Sequence, residues 1–391
     1  MKDLILIKYG EIGIKGGNRY LFEDKLIKNM KESLSGISGK IDIYKTHGRI
    51  FVEAQNNFER IIDRLQKVFG IVGVCPAKEV ALDFEEVKKA GLELIKKELS
   101  SPQKTFKVET RRINKDFKYD SMEISRKLGA YVLRNTEDLT VDVHDPDIRL
   151  DVEIRHKKAY LYANDLPGVK GLPLGSCGKA GLLLSGGIDS PVAGWMAMKR
   201  GVEILPIYFH TPPFTSGRAK EKVLDLSRVL AEYASGSLQV RVVPFTEIQT
   251  AINEKAPEKL LTVIMRRMMM KIAEQITSDN EGKALITGES IGQVASQTLE
   301  SMNVTNAIAQ MPVFRPLIGL DKNEIKKRAK KIGTYETSIQ PYDDCCTFFV
   351  PDNPETKPKL RFVEYGEENL EVDKLIEEAI EKVEIITVEA D

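Results

Sequence analysis

The chain has 391 residues, of which 42% are hydrophobic and 30% charged, enough apolar material for two or three cored domains and too much for a disordered chain. Its longest apolar runs fall far short of the roughly 20 residues that cross a bilayer, and the opening residues show no export signal, which excludes a membrane span and points to the cytoplasm. Formal charge is zero, yet residues 364–391 hold eleven acidic and two basic side chains, leaving residues 1–363 nine more basic than acidic, a balance that permits a polyanionic partner.

In chain order, the periodicity predicts a strand from Leu4 to Tyr9, a glycine-punctuated turn, and a helix from about Arg19 to Leu34. Strands near Ile41 to Tyr44 and Arg49 to Glu53 follow, then a helix from about Phe58 to Phe69. This β-α-β-β-α order is that of a ferredoxin-like α+β domain, assigned to residues 1–60. Residues 61–165 read as a second, separate α/β module with helices from Phe84 to Leu99 and Ser121 to Arg134, and strands at Thr105 to Glu109, Leu139 to Val143 and Leu150 to Ile154. The Pro- and Gly-rich stretch at residues 166–175 has linker composition, with a boundary near residue 173.

Residues 176–391 change to a βαβα pattern. Strands at Gly181 to Leu184, Glu203 to Phe209, Gln239 to Pro244 and Ala284 to Gly288 alternate with helices at about Pro191 to Lys199, Arg218 to Ala234, Pro257 to Ile276 and Ile291 to Met302, which predicts an α/β fold around a doubly wound parallel sheet. An acidic helix from Leu370 to Ile386 is expected at the end. Sheets of this kind bind ligands at the carboxyl ends of their strands. One such end reads Ser185, Gly186, Gly187, Ile188, Asp189, Ser190, then Pro191 at the start of a helix. Two glycines let the backbone approach a ligand, and a helix N-terminus offers unpaired N–H groups, so the segment is an anion cradle. It lacks the G-x-x-x-x-G-K-[ST] pattern of a Walker loop.

SGGIDS resembles the pyrophosphate loop of the PP-loop ATPases, which cut ATP between the α and β phosphates. Together with KYGEIGIKGGNRYLFE at residues 8–23 and FKVETRRINKDF at residues 106–117, it makes the whole chain similar to the bacterial tRNA 4-thiouridine synthetases, in a short form. That resemblance implies a ferredoxin-like domain, a THUMP RNA-binding domain and a PP-loop catalytic domain, with ATP and Mg2+ as cofactors. It assigns nucleotide contacts to Leu183, Leu184, Ser185, Gly186, Gly187, Asp189, Ser190, Tyr208, Phe209, Arg266, Gly288 and Gln297. Which of Arg266 and Arg267 points inward stays open. Asp189 would act beside the magnesium ion or the reacting phosphate, and Lys322 on the phosphates. The helix dipole does not favour a cation at the start of a helix, where Lys322 is placed.

The implied activity is transfer of sulfur to a tRNA uridine. Its O4 is adenylated by ATP, and a persulfide sulfur then replaces it to give 4-thiouridine. Arg111, Arg112, Lys115 and Lys118, beside Phe117 and Tyr119, combine cations for phosphate with rings for unpaired bases; the resemblance assigns this module the CCA end of tRNA, with the acceptor region reaching the catalytic domain. The four cysteines form neither a disulfide scaffold nor a zinc knuckle. Cys346, with Cys345 a close second, aligns with the family's sulfur-handling cysteine. Longer relatives carry a rhodanese-type domain; here the sulfur is expected from a cysteine desulfurase or another persulfide donor protein, or on the Cys345 and Cys346 pair itself. A sulfur carrier protein for thiazole synthesis and a homodimer are further expectations. Two rivals remain: an amide-forming PP-loop ligase, and an RNA-binding nucleotide sensor.

Overall fold

The computed structural model describes residues 1–46, 48–99, 104–342 and 353–390, which divide into two compact units, Met1–Gly171 and Leu172–Asp391.

In the first unit, β1 (Lys2–Tyr9), α1 (Arg19–Ser33), β2 (Ile41–Thr46), β3 (Arg49–Ala54), α2 (Phe58–Gln66) and β4 (Ile71–Ala81) complete a ferredoxin-like βαββαβ arrangement. The strand β4 has no counterpart among the sequence-based expectations. It continues into α3 (Phe84–Glu98), β5 (Lys104–Arg112), α4 (Ser121–Arg134), β6 (Leu139–Val141), β7 (Ile148–Ile154), β8 (Lys158–Tyr162) and the short β9 (Leu166–Pro167). One sheet runs through both expected modules, in the order β2-β3-β1-β4-β8-β7-β5-β6, with β9 also on β4. The seam is β4, whose first part pairs antiparallel with β1, as in Leu6 opposite Cys75, and whose last part pairs with β8, as in Val80 opposite Ala159.

Strand side chains alternate between faces, and the sequence uses that alternation. Ile5, Ile7, Ile50 and Val52 meet Leu26 and Met30 of α1 and Ile61 and Leu65 of α2. Farther along, Phe106, Leu150 and Val152 meet Val87 and Ile95 of α3 and Ile124 and Leu128 of α4. The alternate residues Leu4, Leu6, Phe51, Cys75, Tyr160 and Tyr162 form a buried cluster on the opposite face. Both helices of the second pair begin with an aspartate cap, Asp83 accepting from the Glu86 amide and Asp120 forming a reciprocal capping box with Glu123, a device that satisfies orphan amides of the first turn.

The second unit is built on β10 (Lys179–Leu183), α5 (Asp189–Lys199), β11 (Glu203–His210), α6 (Gly217–Ala231), β12 (Ser237–Pro244), α7 (Thr246–Lys255), α8 (Leu261–Asp279), β13 (Leu285–Ile286), α9 (Leu299–Asn306), β14 (Val313–Phe314), α10 (Lys322–Ile332) and α11 (Tyr335–Ser338). Its sheet order is β14-β13-β10-β11-β12-β15, where β15 is Glu384–Glu389. The first five strands are parallel and doubly wound, as the apolar strands of the sequence predict. From β10 the chain winds outward to β11 and β12, then returns to place β13 on the other side of β10. The two β10 neighbours therefore diverge at its carboxyl end, which is where such folds open a ligand crevice.

Two features depart from the sequence reading. The predicted Leu370–Ile386 helix is a shorter helix, Val372–Glu381, followed by β15, which pairs antiparallel with β12 from Ser237 opposite Glu389 to Val242 opposite Glu384. Ile386 and Val388 share one face and alternate with the exposed Ile385, Thr387 and Glu389, which suits an edge strand with one wet face. The helix expected over Ile291 to Met302 is a single 3-10 turn at Ala295–Gln297 and then α9, whose start is capped by the Thr298 hydroxyl. No helix among the described residues is long and apolar enough to cross a membrane.

Candidate functional site

The turn from β10 into α5 is held by its own hydroxyls. The Ser185 amide donates to Ser190 Oγ at 2.9 Å, the two hydroxyl oxygens lie 3.0 Å apart, and the Gly187 amide donates to Ser185 Oγ at 3.3 Å. These bonds curl the chain around the first turn of α5, which leaves that helix N-terminus facing a crevice. Gly288, at the end of the neighbouring strand, is required here. A Cβ on it would sit 2.6 Å from the Ser190 nitrogen and 2.8 Å from the Asp189 carbonyl carbon, so only glycine lets this strand end close on the first turn of α5.

The crevice is a cleft of about 480 Å3, in the size range of small-molecule sites. Leu183, Leu184, Ser185, Asp189 and Ser190 line it from the turn, Tyr208 and Phe209 from the end of β11, Arg266 from α8, and Gly288 and Gln297 from the segment after β13. Ten of the twelve residues expected to contact nucleotide thus share one cavity; Gly186 and Gly187 belong to the turn beneath it. Met269, Met270 and Val263 of α8 add an apolar wall, suited to a flat base, while the turn offers hydrogen-bond donors suited to phosphate.

Lys322 is the first residue of α10, whose cap is Asp321 in a reciprocal box with Glu324. Its ammonium donates to both carboxylate oxygens of Asp189, at 2.8 and 3.0 Å. Gln293 donates to the same carboxylate at 2.9 Å. A cation that the dipole disfavours at this helix start is thereby explained by a partner on another element.

Adjacent Arg266 and Arg267 separate cleanly. Arg267 is buried and grips Glu367 through Nε at 2.6 Å and the Val304 carbonyl at 2.7 Å, tying the helix Leu360–Glu367 to α8. Arg266 faces the cleft, donating to Ser296 Oγ at 2.9 Å and to Glu289. Glu289 is 3% exposed and also accepts from Arg315 Nε at 2.7 Å and Thr287 Oγ1 at 2.9 Å. Burial works to raise its carboxyl pKa, but Arg266 and Arg315 on either side outweigh it and hold the group below the usual range. Glu289 and Gln293 escaped the sequence reading because neither side chain belongs to a motif; only the neighbouring Gly288 marks the place.

The remaining residues are distributed differently. Arg111, Lys115 and Lys118 are exposed. Arg112 instead donates to the carbonyls of Lys115, Phe117 and Tyr119 at 3.0, 3.2 and 3.4 Å, stitching its own loop. Phe117 and Tyr119 pack against the core, and the Tyr119 ring is approached by Lys118 and Lys127 ammonium groups at 5.2 and 4.7 Å. His210 is half-buried beside Tyr208, its Nε2 without a hydrogen-bond partner; burial, aided by Lys220, lowers its pKa. Cys345 and Cys346 lie outside the described residues. Cys75 is buried and its thiol is pushed up by that burial.

Comparison with known proteins places these features in order along the chain. Residues 4–75 match the ThiI ferredoxin-like domain, residues 81–164 the THUMP domain, and residues 175–372 the thiamine biosynthesis protein (ThiI) model. A probable tRNA sulfurtransferase of Caldanaerobacter subterraneus subsp. tengcongensis is 58% identical over 98% of this chain and 99% of its own length. One from Acetivibrio thermocellus is 52% identical over the full length of both. Among solved structures, a 4-thiouridine synthetase–RNA complex with bound ATP is 40% identical, covers 99% of this chain and all of its own, and superposes with a TM-score of 0.93.

Proposed function

Because the chain belongs to the family of thiamine biosynthesis proteins described as ThiI, we propose that it is an ATP-dependent tRNA sulfurtransferase that converts a tRNA uridine to 4-thiouridine. Uracil O4 attacks the α-phosphorus of ATP, pyrophosphate leaves, and the adenylated carbon C4 then accepts sulfur with loss of AMP. The observation that carries the reading is the pairing of Asp189 and Lys322 at the phosphate turn, across 133 residues of sequence.

Each part of the cleft has a task in that scheme. The Gly187 amide, the hydroxyls of Ser185 and Ser190 and the N-terminus of α5 hold the departing phosphates, and Lys322 offsets charge that develops on them. The apolar wall of Tyr208, Phe209 and Met269 takes adenine, and Arg266, oriented by Glu289, reaches the nucleotide. Asp189 would give Mg2+ one hard oxygen, and an ion held there would supply neutralisation of phosphate charge. No group of three His, Cys, Asp or Glu side chains that could hold a metal occurs among the described residues.

Exposed Arg111, Lys115 and Lys118 contact phosphates at the CCA end of tRNA. A cysteine desulfurase or another cytoplasmic persulfide donor loads sulfur onto Cys346 or Cys345; the terminal persulfide sulfur attacks C4 as AMP leaves, and a second thiol then breaks the S–S bond, giving 4-thiouridine and a disulfide that an external dithiol reduces. The description of the family as thiamine biosynthesis proteins favours a second outlet for that sulfur, a sulfur carrier protein. The deciding experiment incubates the chain with ATP, a persulfide donor and tRNA, and follows pyrophosphate together with nucleoside mass. Pyrophosphate and 4-thiouridine should both require tRNA. Release without tRNA would indicate an amide-forming ligase, and no release would indicate a nucleotide sensor.

A further inference from the structure

Lys222, on α6, is not among the residues assigned to nucleotide, yet it lies against the phosphate turn. It is 5% exposed, and a Cβ on Gly186 would stand 3.3 Å from its Cδ and 3.6 Å from its Nζ. Its ammonium donates to the backbone carbonyl of Gln340 at 2.8 Å and reaches that of Tyr342 at 3.4 Å. Two other bonds run the same way: Ser338 Oγ donates to the Gly187 carbonyl at 3.5 Å, and Arg218 NH1 donates to the Tyr342 hydroxyl at 3.4 Å. Residues 338–342 are therefore bonded to the turn itself through Ser338 and to α6, whose Lys222 packs on the turn, through Lys222 and Arg218.

We propose that Lys222 is a positioning residue that couples the SGGIDS turn to residues 338–342, so that filling the phosphate cradle fixes this segment in place. A buried ammonium must direct its N–H donors at acceptors, and carbonyls of a neighbouring segment make its position report on that segment. Its methylenes cover Gly186, so any movement of the turn around phosphate is felt along the same side chain. The sequence places Cys345 three positions beyond Tyr342, so the coupled segment leads directly to the expected sulfur-handling pair.

This inference rests on the ATP-binding reading, and the two fail separately. Hydrogen–deuterium exchange of the full chain, with and without saturating α,β-methylene-ATP and magnesium, reads residues 335–342 directly. The analogue should slow exchange there by about tenfold in the wild type and by less than about twofold in Lys222→Met, with Lys222→Arg intermediate. Calorimetry on the wild type tests the underlying reading: no heat of binding sinks the ATP site, whereas binding without protection of residues 335–342 sinks only the coupling. Equal protection in Lys222→Met also overturns it. Should that variant not fold, Gly186→Ala, whose methyl would press on the Lys222 Cδ from the turn side, must show the same loss of protection when calorimetry shows it saturated with the analogue, and equal protection there overturns the proposal.

Discussion

The Lys322 ammonium lies 2.8 Å from Oδ1 of Asp189, joining the first residue of one helix to the first residue of another at the edge of the cleft. Neither charge is fully buried, the side chains being 40% and 21% exposed, so the pair contributes little stability. Its value is positional.

Removing either member should therefore cost turnover rather than folding. Lys322→Gln and Asp189→Asn are each expected to lower tRNA-dependent pyrophosphate release by about 100-fold or more, with midpoints of thermal unfolding nearly unchanged. The double variant should be little worse than the singles, since the two act as one unit. Single-turnover assays check this, and strictly multiplicative losses would refute it.

Gly288→Ala should be far more damaging than its size suggests. The added methyl would sit 2.6 Å from backbone nitrogen, where nothing can rotate away, so α5 and the strand end must part. A fall of at least about tenfold in kcat/KM, with a lowered Tm, is expected from strain of this kind. A crystal structure of the variant should show the turn displaced.

Glu289→Gln leaves Arg266 and Arg315 facing each other without the carboxylate between them. Loss of such a partner costs on the order of 3 kcal/mol. The folded-state pKa of Glu289 lies below its ordinary value, so its contribution is complete above the unfolded pKa and disappears as pH falls through the folded one. Urea denaturation at neutral pH should therefore separate wild type from variant clearly, and the gap should narrow in acid. A gap independent of pH would show that the charge is not what matters.

Changing both Cys345 and Cys346 to Ser should leave tRNA-dependent pyrophosphate release intact and abolish 4-thiouridine. Normal thiolation of tRNA by the double variant with a protein donor would remove sulfur handling from that segment.

Arg111 and Arg112 should behave differently despite adjacency. Arg111→Gln is expected to weaken tRNA binding and reduce the slope of log K against log salt by about one. Arg112→Gln removes three bonds to loop carbonyls, so it should lower Tm and affect binding only through the loop. Filter binding over a salt series distinguishes them.

How much of this was legible in the sequence depended on how local the cause was. The strand-turn-helix around SGGIDS is visible because glycine, proline and the apolar run act over a dozen residues. The strand β4 does not stand out in the sequence because Gly73 and Pro76 interrupt its pattern, although β1 pairs with both and β9 with Gly73. The C-terminal strand reads as helix in the sequence because acidic residues at mixed spacing fit either period until β12 offers an edge. Arg266 and Arg267 could not be told apart from sequence: successive helical positions differ by about 100° in direction, and only Glu289 and Glu367, distant in sequence, decide which faces the cleft.

The ladder through β4 also sets how this chain can be divided. The two family matches in the first unit meet between residues 75 and 81, inside a strand bonded along both flanks. Severing it there would leave each fragment with a raw row of amides and carbonyls, an invitation to recruit strands from other molecules. A usable RNA-binding fragment should therefore keep the entire span Met1–Gly171.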